Sequence, residues 1–588
     1  MPRLRLCFAC LLFVTSLEPR FAFAAVSSSA GEKVLELPKL TVNDTAPLPE
    51  LEPWQHTRIT GFDVLSNASD GQTQKLLADF LKFQRAIQLA WPAPTKPLAA
   101  STLILCGRDK KFDAFVPANL RQGESPLPSL FLRNREQVAI VLDLEAQRVT
   151  INDAVTAMAN NAAAVEYEID HYRQLYREYL HYLLSQTEVR QPAWLEEGLV
   201  QIVMDNELSG RTLILGKIET YRGSAVGGSS LPGGAGDSPV EDTLSGQLTV
   251  TTVVGEQPFN MVLRNKSLLP FDRFFAVSVE DEEARQPLGN TLWAKQAYAF
   301  VHFCLFGEKQ QYKESLVTYV NRLAREPASE KLFTECFHVS YAQMAKQLRG
   351  YILNTRHKYQ KYELKDADLV TASSITLTPA SPAQIAIFKG DALRLAGHAD
   401  AALSEYRAAY LRGNRDPELL AGLAAVQTDA AMAEQFNNEA VRTNAKRPSA
   451  YITQARTRLA ACKADPGPDG KLTPAQLSSV LTPLFKARTL PPPQPETYEL
   501  IAEAWAVSST PAEPKHLGVL DEGVRQFPRD SALIYRVAVL YQAAGAPATA
   551  RAIAELGLRF ATDPADKARL SELQNSLPVA AKPAPAGT

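Results

Sequence analysis

Small and aromatic residues recur at fixed offsets in the last third of the chain, and this constrains the fold more than any other feature. Between about 383 and 577 they return with a period of about 34 residues. Gly390, Gly397, Ala402, Tyr406 and Ala409 mark the clearest copy, and Tyr541, Gly545 and Ala550 repeat part of it. Residues 497–528 form a weaker copy ending in Phe527-Pro528. Two antiparallel helices approach closely only where side chains are small, so the pattern predicts stacked helix pairs, with an irregular helical bundle as the alternative. A chain of 588 residues exceeds what one core can serve, so two to four domains are expected. The Ser/Thr/Pro stretch 371–382 is the expected linker. The Ala/Pro-rich tail 578–588 is expected to be disordered.

Composition excludes more than it assigns. Apolar residues make up 46% and charged residues 21%, ordinary for a water-soluble globular protein. A net charge of -2 gives no electrostatic case for nucleic acid or an anionic membrane. Residues 1–24 read as a signal peptide: Arg3 and Arg5, an apolar run from Leu6 to Leu17, then Ala22-Phe23-Ala24. That apolar run is shorter than the roughly 20 residues a bilayer span needs. The expectation is an exported protein, periplasmic or extracellular, with no transmembrane span after signal removal. Cys106, Cys304, Cys336 and Cys462 are widely spaced and contain no C-x-x-C pair, which excludes a cysteine-built zinc site. They form one bridge, such as Cys304 to Cys336, or act as small buried apolar residues.

The fold class expected is α+β, mainly α. Residues 25–53 read as an extended lead-in. From 54 to about 145 a small mixed sheet is expected, with strands at Phe62–Leu65, Leu103–Cys106 and Val138–Leu142 and a helix over Gln74–Trp91. Helices follow from about 150 to 363, the first over 150–185. Gly223–Asp237 is a Gly/Ser loop, and Trp293–Phe306 is an apolar helix. The sheet and these helices together make one domain, 54–370.

The chemically informative segment is Arg177-Glu178-Tyr179-Leu180-His181, followed by Pro192-Ala193-Trp194-Leu195-Glu196-Glu197-Gly198. It resembles the gluzincin, or peptidase MA-like, metallopeptidases, whose pattern is H-E-x-x-H followed by a proline and W-L-x-E-G. The resemblance runs from about 54 to 363 and includes Gln296–Phe303, similar to a Q-S-W-A-L-V-H helix in such proteins. It implies a zincin-like helical domain in which Glu178 matches the general base and His181 and Glu197 match metal ligands. Residues i and i+4 share a helix face, so two imidazoles there can grip one zinc ion, and a distal carboxylate completes the set. Zinc then lowers the pKa of bound water to about 7.

Arg177 departs from this pattern, because it stands where the first histidine ligand belongs. A guanidinium has no lone pair to donate and stays protonated, so it cannot ligate. His171 lies about 15 Å along the helix from His181 and about 80° round it, out of reach of the same ion. His302 is expected in the core, and Ala294 stands where such proteins carry a tyrosine. Arg177 has acidic partners at hand in Glu178 and Glu197, and a buried carboxylate without a metal must be paired. Three readings follow: a metal-free site closed by an Arg-Glu ion pair, a weak zinc site using His181 and Glu197, or chance similarity.

The repeat offsets are similar to those of tetratricopeptide repeats, which implies a protein or peptide partner. The expected function is a binding or scaffold protein with an inactive metallopeptidase-like domain and no cofactor. The alternative is an active zinc peptidase with Glu178 as base. Asp465–Gln476 echoes a calcium-binding loop, but Gly467 at the third position does not fit, and Gln476 stands at the twelfth, where calcium wants a bidentate carboxylate, so a turn between helices is expected. No phosphate loop or nucleophile elbow is present.

Overall fold

A computed structural model describes residues 50–90, 100–120, 127–151, 164–186, 191–218, 240–242, 249–254, 258–279, 281–285, 289, 291–354, 356–365 and 370–578. The expected signal peptide, most of the lead-in, the Gly/Ser loop 223–237 and tail residues 579–588 lie outside these. The fold is α+β and mainly helical, with a small mixed sheet and a C-terminal series of helix pairs.

The strands of the sheet are β1 (Gln55–Ile59), β2 (Phe62–Ser66), β3 (Ala100–Cys106), β4 (Ser129–Arg133) and β5 (Gln137–Asp143). The short β13 (Thr378–Pro379) joins them, in the order β13-β1-β2-β3-β5-β4. β2, β3 and β5 run parallel, while β1 and β4 are antiparallel to their neighbours. Gly61, at φ +84°, supplies the left-handed residue in the turn from β1 to β2.

Successive side chains of a strand point to opposite faces, and both faces here are buried. Leu103, Leu105, Val138, Ile140 and Leu142 pack on one side with Leu76, Leu77, Phe80 and Phe83 of α1 (Asp70–Ala90) and with Tyr176 and Leu180 of α2 (His171–Ser185). Ile104, Cys106, Ala139 and Val141 point the other way, into a core shared with the repeat helices.

Two strands, β6 (Arg148–Ile151) and β7 (Ala164–Glu168), pair antiparallel where the sequence predicts a helix from residue 150. The expected helix begins only at His171, where the Asp170 side chain accepts from the Tyr172 and Arg173 backbone N–H groups. β7 also pairs with β11 (Thr249–Val254), itself paired with β10 (Val240–Asp242). A third sheet joins β8 (Glu207–Ser209), β9 (Thr212–Leu215) and β12 (Gln360–Glu363).

Helices α3 (Ala193–Met204) and α4 (Leu292–Phe306) pack face to face. Their core is aromatic, with Trp194, Phe271, Phe274, Phe275, Phe300 and Phe333 in mutual ring contact. Shorter helices α5 (Lys313–Leu323), α6 (Glu330–Phe337) and α7 (Tyr341–Ile352) enclose it. Cys106, Cys304, Cys336 and Cys462 are all free thiols, the first three buried.

The repeats start at α8 (Pro382–Leu395), which pairs with α9 (Ala399–Leu411). The pairs α10 (Pro417–Val426) with α11 (Ala430–Arg442) and α12 (Pro448–Ala464) with α13 (Pro474–Arg488) follow. Next come α14 (Pro495–Ala506) with α15 (Pro514–Gln526) and α16 (Ser531–Ala543) with α17 (Pro547–Phe560), closed by α18 (Pro564–Ser576). Many of these helices begin on proline, which fits the first turn because its missing N–H would have no intrahelical partner there. Gly390 and Gly422 press on the two sides of the Tyr406 ring, where an added Cβ would meet ring carbons at 2.4 and 2.7 Å. Asp465–Thr473 is the turn between α12 and α13, with Gly470 at φ +69°, and Gln476 in the first turn of α13 closes a capping box with Thr473.

The segment 371–382 is docked on the sheet. Thr378–Pro379 extends the sheet beside β1, and α8 covers its back face. Gln137 at the start of β5 donates to Asp391 at 2.9 Å, and Arg447 grips the same carboxylate at 2.9 and 2.8 Å. Ser449 donates from its backbone N–H and its hydroxyl to Glu136, at 2.9 and 2.7 Å.

Candidate functional site

Helix α2 is amphipathic in an unusual way. One face carries Tyr176, Tyr179 and Tyr182, anchored on α1, where Tyr176 stacks on Phe83 at 3.7 Å. The other presents Arg177, Glu178 and His181 to α3 and to the sheet edge β4. The three charged residues at the heart of the site, Arg177, Glu178 and Glu197, are at most 6% exposed.

Arg177 meets Glu197 in a forked ion pair, with Nη2 to Oε2 at 3.0 Å and Nη1 to Oε1 at 3.5 Å. Burial pushes the Glu197 carboxyl up. The Arg177 charge, with hydrogen bonds from Gln201 and Arg177, overcomes that and holds it below the usual carboxylate range. Gln201, one turn further along α3, donates to Glu197 at 2.7 Å and to the Gly289 carbonyl at 2.6 Å. Lys295 of α4 in turn donates to the Gln201 side-chain oxygen at 2.8 Å. Gly289 sits at φ +59° directly over the pair, where a Cβ would lie 2.4 Å from Glu197 Oε1 and 2.2 Å from Gln201 Nε2. Only glycine lets the backbone close the site this tightly.

The other motif residues turn elsewhere. Glu178 accepts from the Ser129 hydroxyl of β4 at 2.6 Å, and the same hydroxyl lies 3.3 Å from the Gln174 side-chain oxygen. His181 Nδ1 lies 2.6 Å from Glu196 Oε1, and its ring faces Phe131 of β4 at 6.0 Å. Of its two expected partners Arg177 takes Glu197, while Glu178 is held by Ser129. Ser129, Glu196, Gln201 and Gly289 carry no signal as members of the site except Gln201, whose i+4 spacing from Glu197 puts it on the same face.

These residues do not fit a zinc ion. The guanidinium occupies the space beside Glu197 that an ion would need, and a cation there would repel a dication strongly. Among the described residues, no three His, Cys, Asp or Glu side chains group so as to hold a metal.

His302 is fully buried, with Nδ1 2.8 Å from the Tyr351 hydroxyl and Nε2 2.8 Å from the Gly216 carbonyl. Burial pushes its pKa down to about 3 against the opposing pull of the Gly216 carbonyl. It is a core histidine. Gln296 clasps the backbone of Leu269, with its oxygen on the N–H and its nitrogen on the carbonyl. His171 stands at the first turn of α2, far from His181.

No family model matches the chain, and no curated protein does. Among solved structures, a thermophilic TPR protein from Thermus thermophilus matches with 20% identity and a TM-score of 0.23, covering 32% of this chain and 96% of that one. The repeat architecture described above rests on the pairing of this chain's own helices. Among the described residues no helix is long and apolar enough to cross a membrane.

Proposed function

We propose that this chain is an exported binding or scaffold protein. Its peptidase-like site has become a structural ion pair, and its helix pairs carry the partner surface. The observation that carries this reading is the Arg177–Glu197 fork, with Gly289 sealing it. An arginine at the position of a lost ligand supplies the positive charge that the distal carboxylate needs, so the helices keep their packing without an ion. What remains of the motif is positional: Glu178 ties α2 to the sheet edge, and His181 ties α2 to α3. Stacked helix pairs present long continuous surfaces to partners, which supports assigning the binding role to residues 383–577.

Incubating the mature protein with an unstructured protein substrate, with and without a chelator, tests the reading. No hydrolysis above background is expected, and Glu178→Gln should change nothing. Chelator-sensitive cleavage that Glu178→Gln abolishes would establish the active peptidase instead.

A further inference from the structure

The repeat array touches the N-terminal domain along its length, and the contacts grow less buried from first to last. At the start α8 shares a core with the sheet, where Leu393, Ala396 and Tyr406 lie with Ile104 and Val141. The ion pair of Arg447 with Asp391, at 2.8 Å, is buried beside it. Further on, the turn between β4 and β5 makes polar contacts. Glu136 accepts from Ser449 at the start of α12, and the Arg135 carbonyl accepts from Gln494, the residue before α14, at 3.3 Å.

At the far end the array returns to the domain. Arg529, in the turn before α16, donates from Nη1 to the Ala324 carbonyl just past α5, at 2.8 Å. Arg529 and Arg325 both lie over the ring of Phe560, the last residue of α17, at 5.6 and 5.2 Å from its centroid. Two like charges thus meet over one ring, whose negative face attracts each of them. Among the described residues no buried apolar cluster spans this contact. Leu316, Tyr319 and Val320 of α5 belong to the aromatic core around α4, whereas Val537, Tyr541 and Ala550 belong to the core of the repeats. Arg325 is exposed, and Ala324, Arg529 and Phe560 are half-buried.

A contact with few buried apolar groups and its hydrogen bond near water opens at low cost, while the near end cannot part without baring its core. Helix pairs in such an array contact only their neighbours in the chain, so the array can bend about a fixed end. We propose that Phe560, Arg529 and Arg325 form a releasable clasp, by which the repeat array closes onto the end of α5 and swings away from it while staying anchored at the sheet. Closed, the array covers the end of α5. Open, it bares the Phe560 ring and both guanidinium groups.

The test is a distance distribution by double electron–electron resonance on the full chain. Spin labels go on Ala328→Cys and Thr562→Cys, exposed positions on the two sides of the contact, with Cys462→Ser to remove the half-buried native thiol. A narrow short-distance population is expected in this chain. Arg325→Gln should lower the ratio of closed to open molecules about twofold to fivefold, and Phe560→Leu, which removes both cation contacts, about fivefold to thirtyfold. Adding Arg325→Gln to Phe560→Leu should change nothing more, because the ring that the cation needs is gone. Arg325 lies outside the repeats, so a shift it causes with an unchanged circular-dichroism melt belongs to the clasp and not to misfolded helices. A long or broad distribution before either substitution, no change with Phe560→Leu, or a further loss on adding Arg325→Gln would overturn the proposal.

Discussion

Arg177 is the residue on which the site turns. Its charge is buried and paired, so removing it leaves Glu197 without a counter-ion in a closed space. Breaking a buried pair from one side costs about 3–5 kcal/mol. Arg177→Ala is therefore expected to lower unfolding free energy by that amount in urea titration, and Arg177→Met combined with Glu197→Leu to recover most of it. His302 gives a pH signature. Its folded pKa of about 3 lies below the 6.5 of an exposed histidine, so the unfolded chain binds the extra proton between those values. Its contribution is present above pH 6.5 and lost as pH falls toward 3. Glu197, held below its ordinary range, adds a loss of the same sign at lower pH. His302→Gln should flatten the decline in stability between about pH 6.5 and pH 4, followed by thermal melting.

At the scale of elements, the contact between α3 and α4 sets the site. Gly198 lies tight against α4, where an added Cβ would stand 2.4 Å from Val301 Cγ2 and 2.7 Å from the Ala297 carbonyl oxygen. Gly198→Ala should cost about 1–3 kcal/mol through overpacking and displace Glu197, readable as a lower urea midpoint. The sequence named Glu178 and Glu197 as acidic partners open to Arg177, and the structure pairs it with Glu197. The close approach at Gly198 was not read from the sequence. Ser129 on Glu178, Glu196 on His181 and Gly289 over the pair were not legible, since each arrives from tertiary packing or from a choice between adjacent acids. The strand β7 was misread because the alanine-rich run before it favours helix, although Ala164-Val-Glu-Tyr-Glu168 does alternate. Gly390, read from the repeat offsets, lies against the Tyr406 ring, and Gly422, which the offsets did not single out, meets the same ring.

For the whole molecule, the sheet and the repeats share a core. Ile104, Val141 and Leu130 are buried beside Leu393, Ala396 and Tyr406, and Asp391 joins Gln137 to Arg447 across the junction. The Thr371–Pro382 stretch, polar in sequence, is thus a docked strand and helix start and offers no free hinge. A fragment ending at residue 381 would expose the back face of the sheet. It should aggregate or lose its cooperative melt in size-exclusion and circular-dichroism measurements, whereas the full chain melts with sheet and repeats coupled.

The proposal that Arg177 stands where a metal ion would otherwise bind is tested most directly by zinc content. The measurement is plasma mass spectrometry of the purified mature protein as wild type, Arg177→Ala and Arg177→His. No more than trace zinc is expected in the wild type, with uptake only when a histidine is restored at 177. Stoichiometric zinc in the wild type that Arg177→Ala leaves unchanged would contradict the exchange of metal for arginine.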